Sequence, residues 1–285
     1  MNFLLLIIAI TVLILGILVT PLLQVFLALR PYRVEFDNRP EDYKMEYRDI
    51  EFEGAGGVKL KGWYIPAERK TEKTVIICHG HGFNRGKVFP KVAYLQKKYN
   101  LFLYDLRYFG KSEGEHTTLG FLEKEDLRKA AEFIKQETET EKLAFYGFSL
   151  SAATVLMADT EGAEAVIADS PFTSLEALSE RIYMYLPGKT KKPMLGLVSR
   201  YMDRYFDLDM DSINPLENAK NMDRPVLLIH GTEDFQIPCS HSEKLHKEIE
   251  NSELYRVEGA THVRSYEKDP EKYQKKVQEF LEKNL

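Results

Sequence analysis

Three side chains whose combination can activate a nucleophile each follow a short apolar run of the chain. Ser149 follows LAFYGF, Asp234 follows VLLIHG and two further residues, and His262 follows LYRVEG and two further residues. A serine hydroxyl is a poor nucleophile until an imidazole accepts its proton, and the imidazole needs a carboxylate on its other nitrogen to fix its tautomer. Apolar runs of this length are typical of buried parallel strands, whose carboxyl ends meet at one edge of a sheet. We therefore expect Ser149, His262 and Asp234 to act together as nucleophile, base and orienting acid.

The residues around Ser149 predict a strand, a sharp turn and a helix. Gly147-Phe148-Ser149-Leu150-Ser151 joins the strand-like LAFY to the helix-prone AATVLMA. Small residues flank such a turn because it leaves no room for side chains. The pattern resembles the nucleophile elbow G-x-S-x-G of the α/β-hydrolase family, with Ser151 in place of the last glycine. Taken alone, G-x-S-x-S is equally compatible with a structural turn.

The segments around the acid and the histidine extend this resemblance. Residues 230–238, HGTEDFQIP, resemble the family's H-G-x-x-D-x-x-V-P turn, and residues 259–262, GATH, resemble its G-x-x-H turn. Serine, acid and histidine follow one another in the order expected for α/β-hydrolases. In some members of the family the acid lies after an earlier strand, which makes Asp169 the alternative to Asp234.

Two upstream motifs complete the resemblance. Residues 79–82, HGHG, resemble the H-G-x-G loop, which implies that the backbone N–H of His81 or Gly82 stabilises an oxyanion together with that of Leu150. Residues 105–114 match D-x-R-x-x-G-x-S-x-G, a pattern expected to brace the neighbouring loop. The resemblance spans the chain from about Tyr43 to its end, and it is closest to bacterial lidded hydrolases described as esterases, lysophospholipases or acyl-peptidase-like.

The elements that must position these residues alternate between strand-like and helix-like patterns. Residues 43–285 therefore predict an α/β domain, an α/β-hydrolase fold with a mainly parallel sheet and helices on both faces. Two alternating stretches around Gly54-Ala55-Gly56-Gly57 predict an antiparallel hairpin at its start. From about 174 to 211 two helical patterns interrupt the alternation, which indicates a helical lid inserted over the carboxyl edge of the sheet. We call residues 174–211 the lid segment.

The amino-terminal segment is strongly apolar. Residues 3–29 carry no charge, and about 20 apolar residues suffice to cross a bilayer as a helix. We therefore expect residues 1–30 to be one transmembrane anchor and residues 31–42 to be a linker; a cleaved signal peptide is the rival interpretation. Arg30 and Arg33 follow the span, which favours a single-pass protein of the cell membrane with its catalytic domain in the cytoplasm.

Composition excludes several other classes. The formal net charge is -5, and basic residues are interleaved with acidic ones, so we expect no nucleic-acid partner. Cys78 and Cys239 are expected to be free thiols. The histidines outside the Ser149 site lack the spacing of metal ligands, so we expect neither a metal nor another cofactor.

These patterns predict a serine hydrolase that cleaves a carboxylic ester or thioester of a small molecule through an acyl-enzyme on Ser149. The expected membrane anchor and the apolar lid favour a lipid-like acyl substrate. Two alternatives stay open: a peptidase of the acyl-peptide type, and a catalytically silent binding protein tethered to a membrane. The sequence does not specify an oligomeric state. Six residues of the lid segment either line an acyl pocket or pack the lid onto the core: Tyr183, Met184, Tyr185, Met194, Tyr201 and Met202.

Overall fold

An eight-stranded sheet forms the centre of the molecule. The computed structural model describes residues 2–35, 38–158, 162–184, 186 and 188–285. For residues 2, 4, 9–15, 17 and 18 it describes the backbone alone. In the sheet the strands lie in the order β1-β2-β4-β3-β5-β6-β7-β8. Their ranges are β1 Arg48–Glu53, β2 Lys59–Ile65, β3 Lys73–Cys78, β4 Asn100–Tyr104, β5 Lys142–Phe148, β6 Ala165–Asp169, β7 Val226–Gly231 and β8 Ser252–Val257.

Strands β3 to β8 run parallel, whereas β2 pairs antiparallel with both β1 and β4. The expected hairpin is confirmed: β1 and β2 pair in register from Arg48 opposite Tyr64 to Glu53 opposite Lys59. The parallel arrangement brings the carboxyl ends of β5, β7 and β8 to one edge, which is where the segments carrying Ser149, Asp234 and His262 begin.

Helices cover both faces of the sheet, as expected. Successive strand side chains point to opposite faces, so Ile76 packs in one core cluster with Leu127 and Leu245, and Ile77 packs in the other with Phe89 and Tyr273. The α/β-hydrolase arrangement predicted for this part of the chain is therefore confirmed. The helices are α1 Asn2–Leu29, α2 Arg85–Val92, α3 Glu123–Glu137, α4 Leu150–Met157, α5 Leu175–Ile182, α6 Gly188–Phe206, α7 Pro215–Ala219, α8 Ser240–Glu248, α9 Ser265–Lys268 and α10 Pro270–Asn284.

The lid segment holds α5 and α6, which follow β6 and precede β7. Helix α6 buries an apolar stripe spaced at three and four residues, as a helix with one covered face does. That stripe consists of Met194, Leu195, Val198, Met202 and Phe206. Helix α6 packs against both α5 and α1.

The prediction of a transmembrane helix in residues 1–30 is wrong. Across the described part of the chain, no helix has the length and apolar character needed to cross a membrane. The predicted cell-membrane location and the orientation derived from the span are wrong with it. Part of the apolar pattern has another explanation, because Val25 and Leu29 are buried in the same core cluster as α6 residues. Val25 and Leu29 at this end of α1 are thus covered by protein.

Buried ion pairs brace the loop after β4, where the sequence motif of residues 105–114 lies. Arg107 forms a bidentate pair with Asp126 of α3, with both nitrogen–oxygen distances at 2.7 Å. Arg85 pairs with Asp105, and the Ser112 hydroxyl donates to the main-chain oxygen of Asp105 at 2.6 Å. Because these charges are almost fully buried, each depends on its partner.

Replacing Arg107 with Met leaves the carboxylate of Asp126 buried without its main partner. We expect Arg107→Met to lower the free energy of unfolding by about 3–5 kcal/mol, as removal of one member of a buried pair does. Urea denaturation at pH 7 measures this change. Arg128→Met is the matched control, because Arg128 makes only exposed ion pairs on α3 and its loss should not measurably shift the transition. Equal destabilisation by both variants would contradict the bracing role.

Candidate active site

Ser149 lies at a sharp turn between β5 and α4. Its backbone has φ 52° and ψ −111°, a conformation with positive φ that residues other than glycine adopt only under strain. The turn leaves no space at Gly147, where a Cβ would collide with the main-chain oxygen of Ser151. The N–H of Ser149 donates to the main-chain oxygen of Asp169 at 2.8 Å, which fixes the turn to the neighbouring strand. The local fold thus holds the hydroxyl at the edge of the sheet.

Ser151, which stands where the family pattern has glycine, makes a contact of its own. It is fully buried, and its hydroxyl donates to the main-chain oxygen of His79 at 2.5 Å. The serine at position 151 therefore connects the turn at Ser149 to the loop of residues 79–82 by a hydrogen bond that glycine could not make.

The imidazole of His262 bridges Ser149 and Asp234. Nε2 of His262 lies 2.8 Å from Oγ of Ser149, and Nδ1 lies 2.6 Å from Oδ2 of Asp234. Both contacts are hydrogen bonds of good length, and a carboxylate at Nδ1 leaves Nε2 free of a proton and able to accept one. The structure brings together the three residues that the sequence singled out for nucleophile, base and acid.

Asp234 is buried and anchored by its own loop. Oδ1 accepts the N–H groups of Gln236 at 3.0 Å and Ile237 at 2.8 Å. Burial alone raises the pKa of Asp234, but hydrogen bonds from His230 and His262, the charge of His262 and the N–H of Ile237 outweigh it and hold the pKa below its ordinary value. Asp234 is therefore ionised at neutral pH.

His230 is a partner of the acid that sequence reasoning missed. Its ring is fully buried, with Nε2 at 2.7 Å from the main-chain oxygen of Ile237 and 3.3 Å from Oδ2 of Asp234. Nδ1 lies 2.6 Å from the hydroxyl of Ser242. The signal was present in the H-G-x-x-D pattern, which puts this histidine four residues before the carboxylate.

The alternative acid, Asp169, has other partners. Its carboxylate accepts the hydroxyl of Tyr273 at 2.7 Å and that of Ser170 at 2.8 Å. Burial raises the pKa of Asp169, and these two hydrogen bonds oppose the rise. Oγ of Ser170 also lies 3.4 Å from the N–H of Val263, the residue after His262. Asp169 thus supports the histidine loop, while Asp234 contacts the ring itself.

Two of the three residues named as candidate oxyanion donors, His81 and Leu150, line the cavity that contains Ser149. Leu150 is the first residue of α4, so its N–H has no partner within the helix. Gly82, with φ 73°, forms the turn closed by the N–H of Phe83 on the oxygen of Gly80 at 3.2 Å, and it is not one of the lining residues.

The cavity has a volume of about 550 Å³ and a largely apolar lining. Of the six lid residues predicted either to line an acyl pocket or to pack on the core, three line the cavity, namely Tyr183, Met184 and Met202. Met194 is buried in α6, and the ring of Tyr201 packs on that of Phe206 at 5.8 Å. Tyr185 lies outside the described residues. The full lining is Gln24, Val25, Ala28, His81, Leu119, Ser149, Leu150, Phe172, Leu175, Leu178, Ser179, Arg181, Ile182, Tyr183, Met184, Val198, Met202, Phe235, Gln236, Ile237 and His262.

Helix α1 contributes lining residues that sequence reasoning did not assign to the site. Gln24 and Val25 lie four and three residues before Ala28, a spacing that places both next to it on the helix surface. Gln24 was the available signal, because it is the one amide side chain in the apolar run of residues 3–29. Within the described ranges, no group of three or more histidine, cysteine, aspartate or glutamate side chains is placed to hold a metal ion.

Comparison with known proteins identifies several similar chains. The model of the prolyl oligopeptidase family matches residues 116–285. The uncharacterized protein YqkD of Bacillus subtilis is 32% identical over 84% of this chain and 80% of its own length. The esterase Pf2001 of Pyrococcus furiosus superposes with a TM-score of 0.74 at 28% identity, covering 90% of this chain and 99% of that one. The lysophosphatidylserine lipase ABHD12 of Danio rerio is 26% identical over 65% of this chain and 49% of its own.

The low pKa of Asp234 links its charge to stability. A carboxylate whose folded-state pKa lies below the unfolded value of about 3.9 stabilises the fold above that value, and the contribution is lost as the pH falls towards the folded-state pKa. We expect Asp234→Asn to lower the free energy of unfolding by about 2 kcal/mol at pH 7, because hydrogen bonds to a charged group contribute about 1.5–3 kcal/mol.

The difference between wild type and Asp234→Asn should shrink below about pH 4, where the unfolded chain takes up the proton. Urea denaturation at pH 7 and pH 3 measures it. Asp203→Asn, at an exposed position of α6, serves as control and should match the wild type at both pH values. A difference that grows on acidification would contradict this assignment of the charge.

Proposed function

The chain belongs to the prolyl oligopeptidase family, and on this premise we propose that it is a serine hydrolase that cleaves a carboxylic ester or thioester through an acyl-enzyme on Ser149. One observation carries the proposal: a continuous hydrogen-bond chain from Ser149 through His262 to Asp234, with distances of 2.8 and 2.6 Å. The structural similarity of this protein to an esterase of P. furiosus, which extends over almost all of the esterase chain, supports ester hydrolysis.

Acylation begins when Oγ of Ser149 attacks the carbonyl carbon of the substrate and Nε2 of His262 takes the hydroxyl proton. The imidazolium that forms is stabilised by the ionised Asp234. The carbonyl oxygen becomes an oxyanion, which the N–H groups of His81 and Leu150 stabilise, each by about 3 kcal/mol. His262 then passes its proton to the leaving alkoxide or thiolate, which departs as an alcohol or thiol.

Deacylation repeats these steps with water. His262 removes a proton from a water molecule, whose oxygen attacks the acyl carbon attached to Ser149. Collapse of the second tetrahedral intermediate breaks the bond to Oγ, and His262 returns the proton to Ser149. The acid product leaves, and the resting hydrogen-bond chain is restored.

The lining of the cavity favours an apolar acyl group. A volume of about 550 Å³ lies in the usual range of small-molecule sites, and side chains such as Val25, Leu175 and Met202 offer it no hydrogen bonds. Flexible methionine side chains suit a variable apolar ligand. The name of the D. rerio relative, a lysophosphatidylserine lipase, is consistent with a lipid-like ester.

Cleavage of an acylated peptide is the second candidate, and the family match favours it. The chemistry on Ser149 would be the same, but the leaving group would be an amine. An apolar cavity with few polar lining groups offers little for recognition of a peptide backbone, so we place ester cleavage first.

Ser149→Ala removes the nucleophile. We expect it to abolish labelling by a fluorophosphonate probe and to reduce hydrolysis of p-nitrophenyl butyrate at least about 10⁴-fold, as loss of an activated nucleophile does. Ser212→Ala, at a half-buried serine outside the cavity, should label and turn over like the wild type. Persistent labelling of Ser149→Ala would remove the assignment, and a wild type without turnover of esters or acyl-peptides would favour a silent binding protein.

Arg181 suggests a preference for an anionic leaving group. Of the described residues that line the cavity, it is the one with a permanent charge, and its guanidinium donates to the main-chain oxygen of Phe235 at 3.0 Å. Its remaining donors can bind a phosphate or carboxylate.

We therefore expect Arg181→Met to lower kcat/KM for a lysophosphatidylserine about tenfold relative to a monoacylglycerol of the same acyl chain, since one charge-assisted hydrogen bond contributes about 1.5–3 kcal/mol. Release of fatty acid from both substrates measures this ratio. Arg200→Met, at an exposed arginine of α6 outside the cavity, should leave the ratio unchanged. An unchanged ratio in Arg181→Met would exclude this leaving-group preference.

A further inference from the structure

The end of α1 enters the cavity that contains Ser149. Gln24, Val25 and Ala28 line the cavity together with residues of α5 and α6 such as Leu178 and Met202. The side chain of Val25 is buried, with 7% of its surface exposed, whereas Leu27, two residues further along the helix, is 55% exposed. One side of the helix therefore faces the site, and another faces away from it.

Main-chain hydrogen bonds hold this end of the helix in place. The last carbonyl groups of a helix have no partner within it. Here the main-chain oxygen of Ala28 lies 2.7 Å from Nε2 of His81, and that of Leu29 accepts the N–H of Thr117 at 3.0 Å. Burial lowers the pKa of His81, so its ring is neutral and donates its one proton to Ala28.

Contacts of Tyr183 and Arg30 also hold this part of the chain in place. The hydroxyl of Tyr183 donates to the main-chain oxygen of Pro21 at 3.3 Å. The guanidinium of Arg30 donates to the oxygen of Glu115 at 3.2 Å and lies 5.3 Å from the ring centre of Phe206. The segment is thus attached both to the loop that carries His81 and to the lid segment.

We propose that residues 21–29 of α1 are a wall of the acyl-binding site and that Val25 and Ala28 set the length of unbranched acyl chain that the site accepts. This rests on the proposed ester hydrolysis and goes beyond it, because it assigns specificity to a helix remote in sequence from the reacting residues. A wall that is fixed at both ends cannot retreat from a longer chain. Its side chains therefore decide how much of the cavity an acyl group can fill.

The test changes the size of residue 25 and reads the acyl-chain preference. In Val25→Trp, kcat/KM for p-nitrophenyl octanoate divided by that for p-nitrophenyl acetate should fall at least about tenfold, since even one misplaced methylene in an apolar pocket costs about 10–200-fold. In Val25→Ala the ratio of dodecanoate to octanoate should rise. Leu27→Trp and Leu27→Ala, on the exposed side of the same helix, should keep both wild-type ratios.

A second measurement does not depend on catalytic turnover. Binding of free dodecanoate, measured by calorimetry, should weaken at least about tenfold in Val25→Trp and should not weaken in Leu27→Trp. Unchanged ratios and unchanged dodecanoate binding in both Val25 variants would overturn the proposal that residues 21–29 form a wall of the acyl-binding site. Absence of turnover in the wild type, with dodecanoate binding that still depends on residue 25, would instead overturn the proposed hydrolysis and leave the wall supported.

Discussion

The hydrogen bond between Nδ1 of His262 and the buried carboxylate of Asp234 is the interaction on which the site depends. It decides which ring nitrogen carries the proton, and so whether Nε2 can accept one from Ser149. A carboxylate can do this only while it is charged. Burial works against that charge, and the N–H groups of Gln236 and Ile237 together with the ring of His230 compensate for it.

Much of the remaining structure serves to deliver three loops to that hydrogen bond. The strained backbone of Ser149 is stabilised by a bond to β6, by the absence of a side chain at Gly147 and by the buried hydroxyl of Ser151. Behind the histidine, Ser170 and Lys91 contact the main chain of Val263. Backbone strain persists only where the surrounding structure holds the residue firmly, and these contacts hold Ser149 and the loop of His262 in this way.

The sheet and the three convergent side chains could be predicted from the sequence because both depend on local patterns. Apolar runs such as VLLIHG mark buried strands, and Ser149, Asp234 and His262 each follow such a strand by a short, motif-bearing turn. Local patterns could not predict whether lipid or protein surrounds residues 3–29. An uncharged apolar helix of this length is compatible with a lipid surrounding and with a protein surface, and only the tertiary contacts of Val25 and Leu29 show that protein covers these two side chains. The H-G-x-x-D pattern places His230 four residues before Asp234, but it does not specify the ring orientation on which their contact depends.

The bond from His81 to α1 ends on a main-chain oxygen, which every residue type at position 28 possesses. The main-chain bonds that hold this end of the helix do not depend on which side chains line the cavity, whereas Val25 both lines the cavity and packs in the core cluster that contains α6 residues. Substitution of Gln24 or Ala28 therefore changes the lining of the cavity while the main-chain oxygen that His81 contacts stays available.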